Sequence, residues 1–161
     1  MATLIGDRLP PDLVRAFDGT DLDAKIGPAY PLITVDESGA PRLSMLSAGE
    51  LLAVDERTVR IGLWPNTRTG RNLATGREVL LCVAEPGSVR YVRGVPWKLL
   101  SPDPAVDCFE MAVRAVESDS HDGMPVTTGI TFDVVRPGRA EVLAMWQGQV
   151  AALRAARPGT E

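Results

Sequence analysis

Apolar residues alternate with polar ones along much of this chain, and that period of two predicts strands. Tyr30 to Val35 is β-branched and closes on the turn-like Asp36-Glu-Ser-Gly-Ala-Pro41. Arg42 to Ser47 reads as the return strand, continuing toward Val54, and Thr58 to Trp64 alternates after a second turn at Asp55-Glu-Arg. Glu78 to Glu85 reads as a central strand. Val89 to Leu100 is a further one, bent near Gly94 and Pro96. Ile130 to Val135 and Arg139 to Leu143 flank Pro137-Gly138 as a last hairpin. Helical spacing is expected at Pro10 to Phe17, with Leu13, Val14 and Phe17 on one face, and over 69–77. Ala105 to Ser118 carries an apolar stripe of Val106, Phe109, Val113 and Val116, and Trp146 to Arg157 reads as a terminal helix.

Strands in hairpin order, interrupted by single helices, favour an antiparallel sheet over β-α-β units. The expected fold is mainly β: a six- to seven-stranded antiparallel split β-barrel with peripheral helices. One domain over 1–161 is expected, with a core of about 28–145 and a C-terminal helix over 146–157.

The most informative stretch is Trp64-Pro-Asn-Thr-Arg-Thr-Gly-Arg-Asn-Leu73, where a strand passes into a short helix. Two hydroxyls (Thr67, Thr69) and two guanidiniums (Arg68, Arg71) gather where a helix presents unpaired N–H groups, which suits a phosphate. The same residues also serve a plainer purpose, with Thr67 or Thr69 capping the helix and the arginines facing water.

Charge and composition narrow the classes. Net charge is −4 over 161 residues, so no basic field suggests nucleic acid, and no Lys/Arg cluster suggests an acidic membrane surface. No apolar run reaches about 18 residues and the N-terminus lacks the core of a signal peptide, so the expected location is cytoplasmic with no membrane contact. Cys82 and Cys108 do not stand at metal-site spacing, and Cys82 lies in an apolar run that favours a buried thiol. His121, the only histidine, sits in a polar, Gly-containing stretch that reads as an exposed loop. One loop histidine supports no Ser-His-Asp set. Trp97 and Lys98 are candidates to close a pocket, and a surface strand with a core tryptophan is the simpler assignment.

Leu32-Ile-Thr-Val-Asp-Glu-Ser-Gly-Ala-Pro-Arg-Leu-Ser-Met-Leu46 resembles the opening hairpin of the pyridoxamine 5′-phosphate oxidase-like, FMN-binding split β-barrels. Thr67-Arg-Thr-Gly-Arg-Asn-Leu73 is similar to that family's phosphate-binding turn, and the strand Val79 to Ala84 follows in the family's order. The resemblance covers about residues 30–100. It implies that Arg42, Ser44, Met45, Leu46 and Ser47 lie along the isoalloxazine ring and ribityl chain. It places Leu63 and Trp64 beside the ribityl phosphate, and Thr67, Arg68 and Thr69 on that phosphate with Arg71 close by. It also implies a homodimer with the flavin between subunits, and redox chemistry on a small-molecule substrate. Two departures qualify it. The family's turn often carries Arg-Lys where this chain has Arg68-Thr69, which leaves room for deazaflavin F420 or haem in place of FMN, or for a flavin-binding module without turnover. The Arg-x-His element of authentic pyridoxamine phosphate oxidases is missing, so vitamin B6 chemistry is not expected.

Overall fold

Asp36 makes the first hairpin. Its Oδ1 accepts from the N–H groups of Ser38 (2.9 Å) and Ala40 (3.1 Å), and Gly39 takes φ 85°, which the turn needs and glycine adopts freely. The strands so joined pair with Leu32 opposite Ser44 and Thr34 opposite Arg42. A computed structural model describes residues 1–136 and 138–159. Among these the strands are β1 (Thr3–Gly6), β2 (Tyr30–Val35), β3 (Pro41–Leu46), β4 (Leu51–Asp55), β5 (Thr58–Leu63), β6 (Val79–Glu85), β7 (Ser88–Leu100), β8 (Asp107–Asp119) and β9 (Arg157–Pro158). The α-helices are α1 (Pro11–Ala16), α2 (Arg68–Ala74) and α3 (Arg139–Ala155).

All neighbouring strands are antiparallel, in the order β3-β2-β6-β7-β8-β5-β4, with β1 added to β8 and β9 to β7. The two ends of this path, β3 and β4, are consecutive in the chain. Laid flat, seven strands would separate those edges by about 29 Å at roughly 4.8 Å per strand. The chain from Leu46 to Leu51 spans at most about 18 Å. The sheet must therefore curl until its edges approach, and it stays open there: a split barrel. Buried Leu32, Leu81, Val83, Val92, Ile61 and Met111 fill its interior. α1 adds Leu13, followed by Phe17, whose ring meets Tyr30 edge-to-face at 4.9 Å.

Three expectations fail here, each for a physical reason. Ala105 to Ser118 is not a helix; most of it lies in β8. The register between β7 and β8 shifts at Arg93/Gly94, pairing Arg93 with Ala115 and Gly94 with Val113, so Arg114 is the extra residue of a bulge. Phe109, Met111 and Val113 alternate inward, and the bulge then brings Val116 inward three residues later. That local spacing of three imitates a helical stripe.

The second failed expectation is the strand Arg139 to Leu143. α3 begins at Arg139, and Val142, Trp146, Gln149, Val150 and Leu153 form one continuous buried helical stripe. Pro137 of the expected turn lies outside the described residues, and Thr131 makes only an isolated bridge to Pro28. Thirdly, the strand from Arg42 does not run through to Val54. Ala48–Glu50 is a 3-10 turn closed by a Ser47/Glu50 capping box, and a Cβ on Gly49 would overlap the Trp146 indole. That turn bridges the split.

Two bounds also shift. α2 stops at Ala74, with Gly76 at φ 70°, so the helix expected over 69–77 is shorter. The C-terminal helix ends at Ala155, and Arg157–Pro158 pair with β7 instead.

Candidate functional site

The chain leaves β5 at the buried Leu63, exposes Trp64, and turns through Asn66 at φ 63° into α2. Thr67 caps that helix, its Oγ1 accepting from the Gly70 N–H at 3.0 Å. The Thr69 hydroxyl hydrogen-bonds that of Ser44, tying α2 to β3. Asn72, buried, donates from Nδ2 to the buried Thr34 Oγ1 at 2.9 Å and ties α2 to β2. The short helix is thereby locked onto the sheet edge with Arg68 and Arg71 facing outward.

These two arginines and Arg42 border a cleft of about 340 Å³ that also reaches Asp36, the exposed Glu37, Ser38 and Asn72. Beside it, Arg42, Ser44, Arg68 and Thr69 border a second recess of about 490 Å³. Arg42 is committed to Asp36, its Nε donating to Oδ2 at 2.8 Å. Hydrogen bonds from the Ser38 hydroxyl and from Arg42 hold the Asp36 carboxyl well below the usual carboxylate range, so it stays charged. Arg71 donates to the Asn66 carbonyl at 3.0 Å, and among the described residues Arg68 has no ion-pair partner. Two guanidiniums not neutralised by carboxylates, with two hydroxyls between α2 and β3, are a donor set that fits a phosphate monoester. With seven residues, α2 has a weak dipole, and the side chains carry the attraction.

Strand alternation divides the rest of the expected site. Arg42 and Ser44 face α2, whereas Leu43 and Met45 are 60% and 46% exposed on the other face of β3. Met45, the buried Leu46 and Ser47 line a separate pocket of about 450 Å³ between the end of β3, residues 130–136 and α3. Trp64, 63% exposed, lines another recess of about 620 Å³ with Met145 of α3. Arg42, Ser44, Thr67, Arg68, Thr69 and Arg71 are thus brought together, Met45 to Ser47 sit around the barrel edge from them, and Leu63 is core.

The sequence reading missed Glu50. It lines the 450 Å³ pocket, and its Oε2 accepts from the Ser47 N–H at 2.7 Å and the Ser47 hydroxyl at 2.8 Å. Burial pushes its carboxyl above the usual glutamate value, against those two hydrogen bonds. The local signal was Ser47-Ala-Gly-Glu50, a capping-box spacing.

Other candidates are placed plainly. His121 is exposed, and no group of three His, Cys, Asp or Glu suited to a metal occurs among the described residues. Cys82 is half-buried and Cys108, buried on β8, is a free thiol as well. Lys98 pairs with Asp107 at 3.1 Å and lies 5.9 Å from the Phe109 ring centre, while Trp97 is 39% exposed. No described helix is long and apolar enough to cross a membrane.

No protein-family model matches the chain. The uncharacterized protein YclD of Bacillus subtilis (strain 168) is 30% identical over 139 residues, covering 84% of this chain and 88% of that protein. Among solved structures, a Lactobacillus delbrueckii protein provisionally named a pyridoxamine 5′-phosphate oxidase superposes with a TM-score of 0.57 at 17% identity, covering 72% of this chain and 98% of its own. A variant of HupZ from Group A Streptococcus gives 0.54 at 10% identity, covering 69% and 99%. A Clostridium acetobutylicum protein related to general stress protein 26, of the pyridoxinephosphate oxidase family, gives 0.50 at 14%, covering 66% and 85%.

Proposed function

This chain belongs to one family with Bacillus subtilis YclD and has the pyridoxamine 5′-phosphate oxidase-like split-barrel fold, and on that premise we propose that it binds FMN. The observation that carries this reading is the cluster of Arg68, Arg71, Ser44 and Thr69 at one end of β3. A phosphate of charge about −2 draws charge-assisted hydrogen bonds from the guanidiniums. Arg42, held by Asp36, fixes the floor of that cleft rather than supplying free charge. From there β3 leads past Met45 and Leu46 to Ser47, so a ring attached to the phosphate would lie along the strand and end at the mouth of the 450 Å³ pocket.

A bound flavin would supply hydride transfer, and the function proposed is a flavin-dependent oxidoreductase acting on a small molecule. The protein's part is to hold the phosphate, orient the ring against backbone groups of β3 and restrict access. Exposed Leu43 and Met45 on this edge strand suit a second copy of the chain, which would cover the cofactor. Light scattering of the purified protein tests that dimer, and a monomer at micromolar concentration refutes it.

The experiment for the cofactor is absorbance of purified protein after addition of stoichiometric FMN and desalting. Flavin bands that stay with the protein, and that bleach on addition of a nicotinamide donor, support binding and turnover respectively. FMN that passes through the column refutes the FMN reading.

A further inference from the structure

The pocket beside Glu50 has a chemistry of its own. Met45, Phe132, Val134, Met145 and Trp146 give it apolar and aromatic walls, with the Phe132 and Trp146 rings edge-to-face at 6.2 Å. At about 450 Å³ it falls within the roughly 300–1,000 Å³ of small-molecule sites. Glu50 is its half-buried charged group, and the exposed Asp133 and Arg136 also line it, giving two carboxylates against one guanidinium. Both hydrogen bonds that Glu50 accepts end on Oε2. They fix the carboxyl in place, while Oε1 accepts no hydrogen bond from the described residues and is not sealed from solvent.

The two neutral donors from Ser47 meet only Oε2, and a cation at Oε1 would offset more of the cost of keeping this half-buried carboxyl charged. We propose that this pocket takes the substrate, a small molecule with a cationic nitrogen on an aromatic body, and that Glu50 pairs with that nitrogen while Trp146 and Phe132 enclose the ring. The placement rests on the flavin reading in one respect: Met45 to Ser47 border both the pocket and the expected path of the flavin ring.

Glu50→Gln separates charge from structure, because glutamine also closes a capping box. The probe is 1-naphthylmethylamine, titrated calorimetrically into the full-length protein at pH 7.5, beside neutral 1-naphthalenemethanol and anionic 1-naphthoate. The amine is expected to bind wild type more tightly than the other two. In Glu50→Gln its affinity should fall about tenfold or more, the size of one charge-assisted hydrogen bond, while the alcohol is unaffected. An amine that fails to bind, that binds Glu50→Gln equally well, or that is outcompeted by naphthoate overturns the proposal. A thermal melt of Glu50→Gln no lower than that of wild type excludes misfolding as the cause of a loss, and should it melt lower, Glu50→Asp must then bind the amine more tightly than Glu50→Gln. Retained FMN without amine binding defeats this inference alone, and amine binding without FMN defeats only the flavin reading.

Discussion

The two ends of β3 handle charge in opposite ways. At the α2 end, Arg68 and Arg71 stand in water, held by a capped helix and a hydroxyl pair, and each costs little to keep. At the Glu50 end, one half-buried carboxyl sits among aromatic and thioether side chains beside α3, where burial makes its charge costlier to keep than that of the exposed arginines. An exposed cluster should lose function by degrees as members are removed. A pocket walled by side chains from three segments should depend more steeply on each wall.

The largest effect expected from this contrast is on stability. Trp146 is 2% exposed and covers Gly49 at the split, so Trp146→Ala should cost about 3–5 kcal/mol in urea unfolding. A cost under about 1 kcal/mol would mean that α3 does not close the barrel edge as described. Next comes the cation cluster. Arg68→Ala should weaken FMN binding by about 1.5–3 kcal/mol, as expected for one hydrogen bond to a charged group, with the melting temperature unchanged. An unaltered Kd removes Arg68 from the phosphate site. Thr67→Ala should lower stability by about 1 kcal/mol through the lost cap, and FMN affinity with it as the turn frays. If unfolding is unchanged, the cap does not hold α2 in place.

The α2 end was legible in the sequence because its chemistry is local: Thr67, Arg68, Thr69 and Arg71 lie within five residues, and the cap, turn and cations follow from their order. The Asp36 hairpin was legible for the same reason. β8 was not. A single extra residue at Arg114 shifts the inward phase, and four valine and phenylalanine positions then fit a helical period as well as a strand. The Glu50 pocket was out of reach for a different reason. Its walls come from Met45, residues 130–136 and α3, segments nearly a hundred residues apart, and the misread strand at Arg139 to Leu143 broke the helix that roofs it. Ser47 and Glu50 announced a cap but not a pocket.

The smallest predicted effect bears most directly on Glu50. Its carboxyl titrates above the ordinary value because burial disfavours the anion. A carboxyl whose folded value is raised binds its proton more tightly in the folded than in the unfolded protein. Its contribution to stability is therefore full below about 4.5 and is lost as pH rises through the higher folded value. Asp133 and Arg136 line the same pocket but are exposed and shared by both proteins being compared. Thermal melts of wild type and Glu50→Gln at pH 4 to 7 isolate the term. The variant should gain on wild type as pH rises, since glutamine keeps the capping box and has no charge to bury. A difference that stays constant across that range, or that runs the other way, would place Glu50 in ordinary solvent and make the two ends of β3 alike.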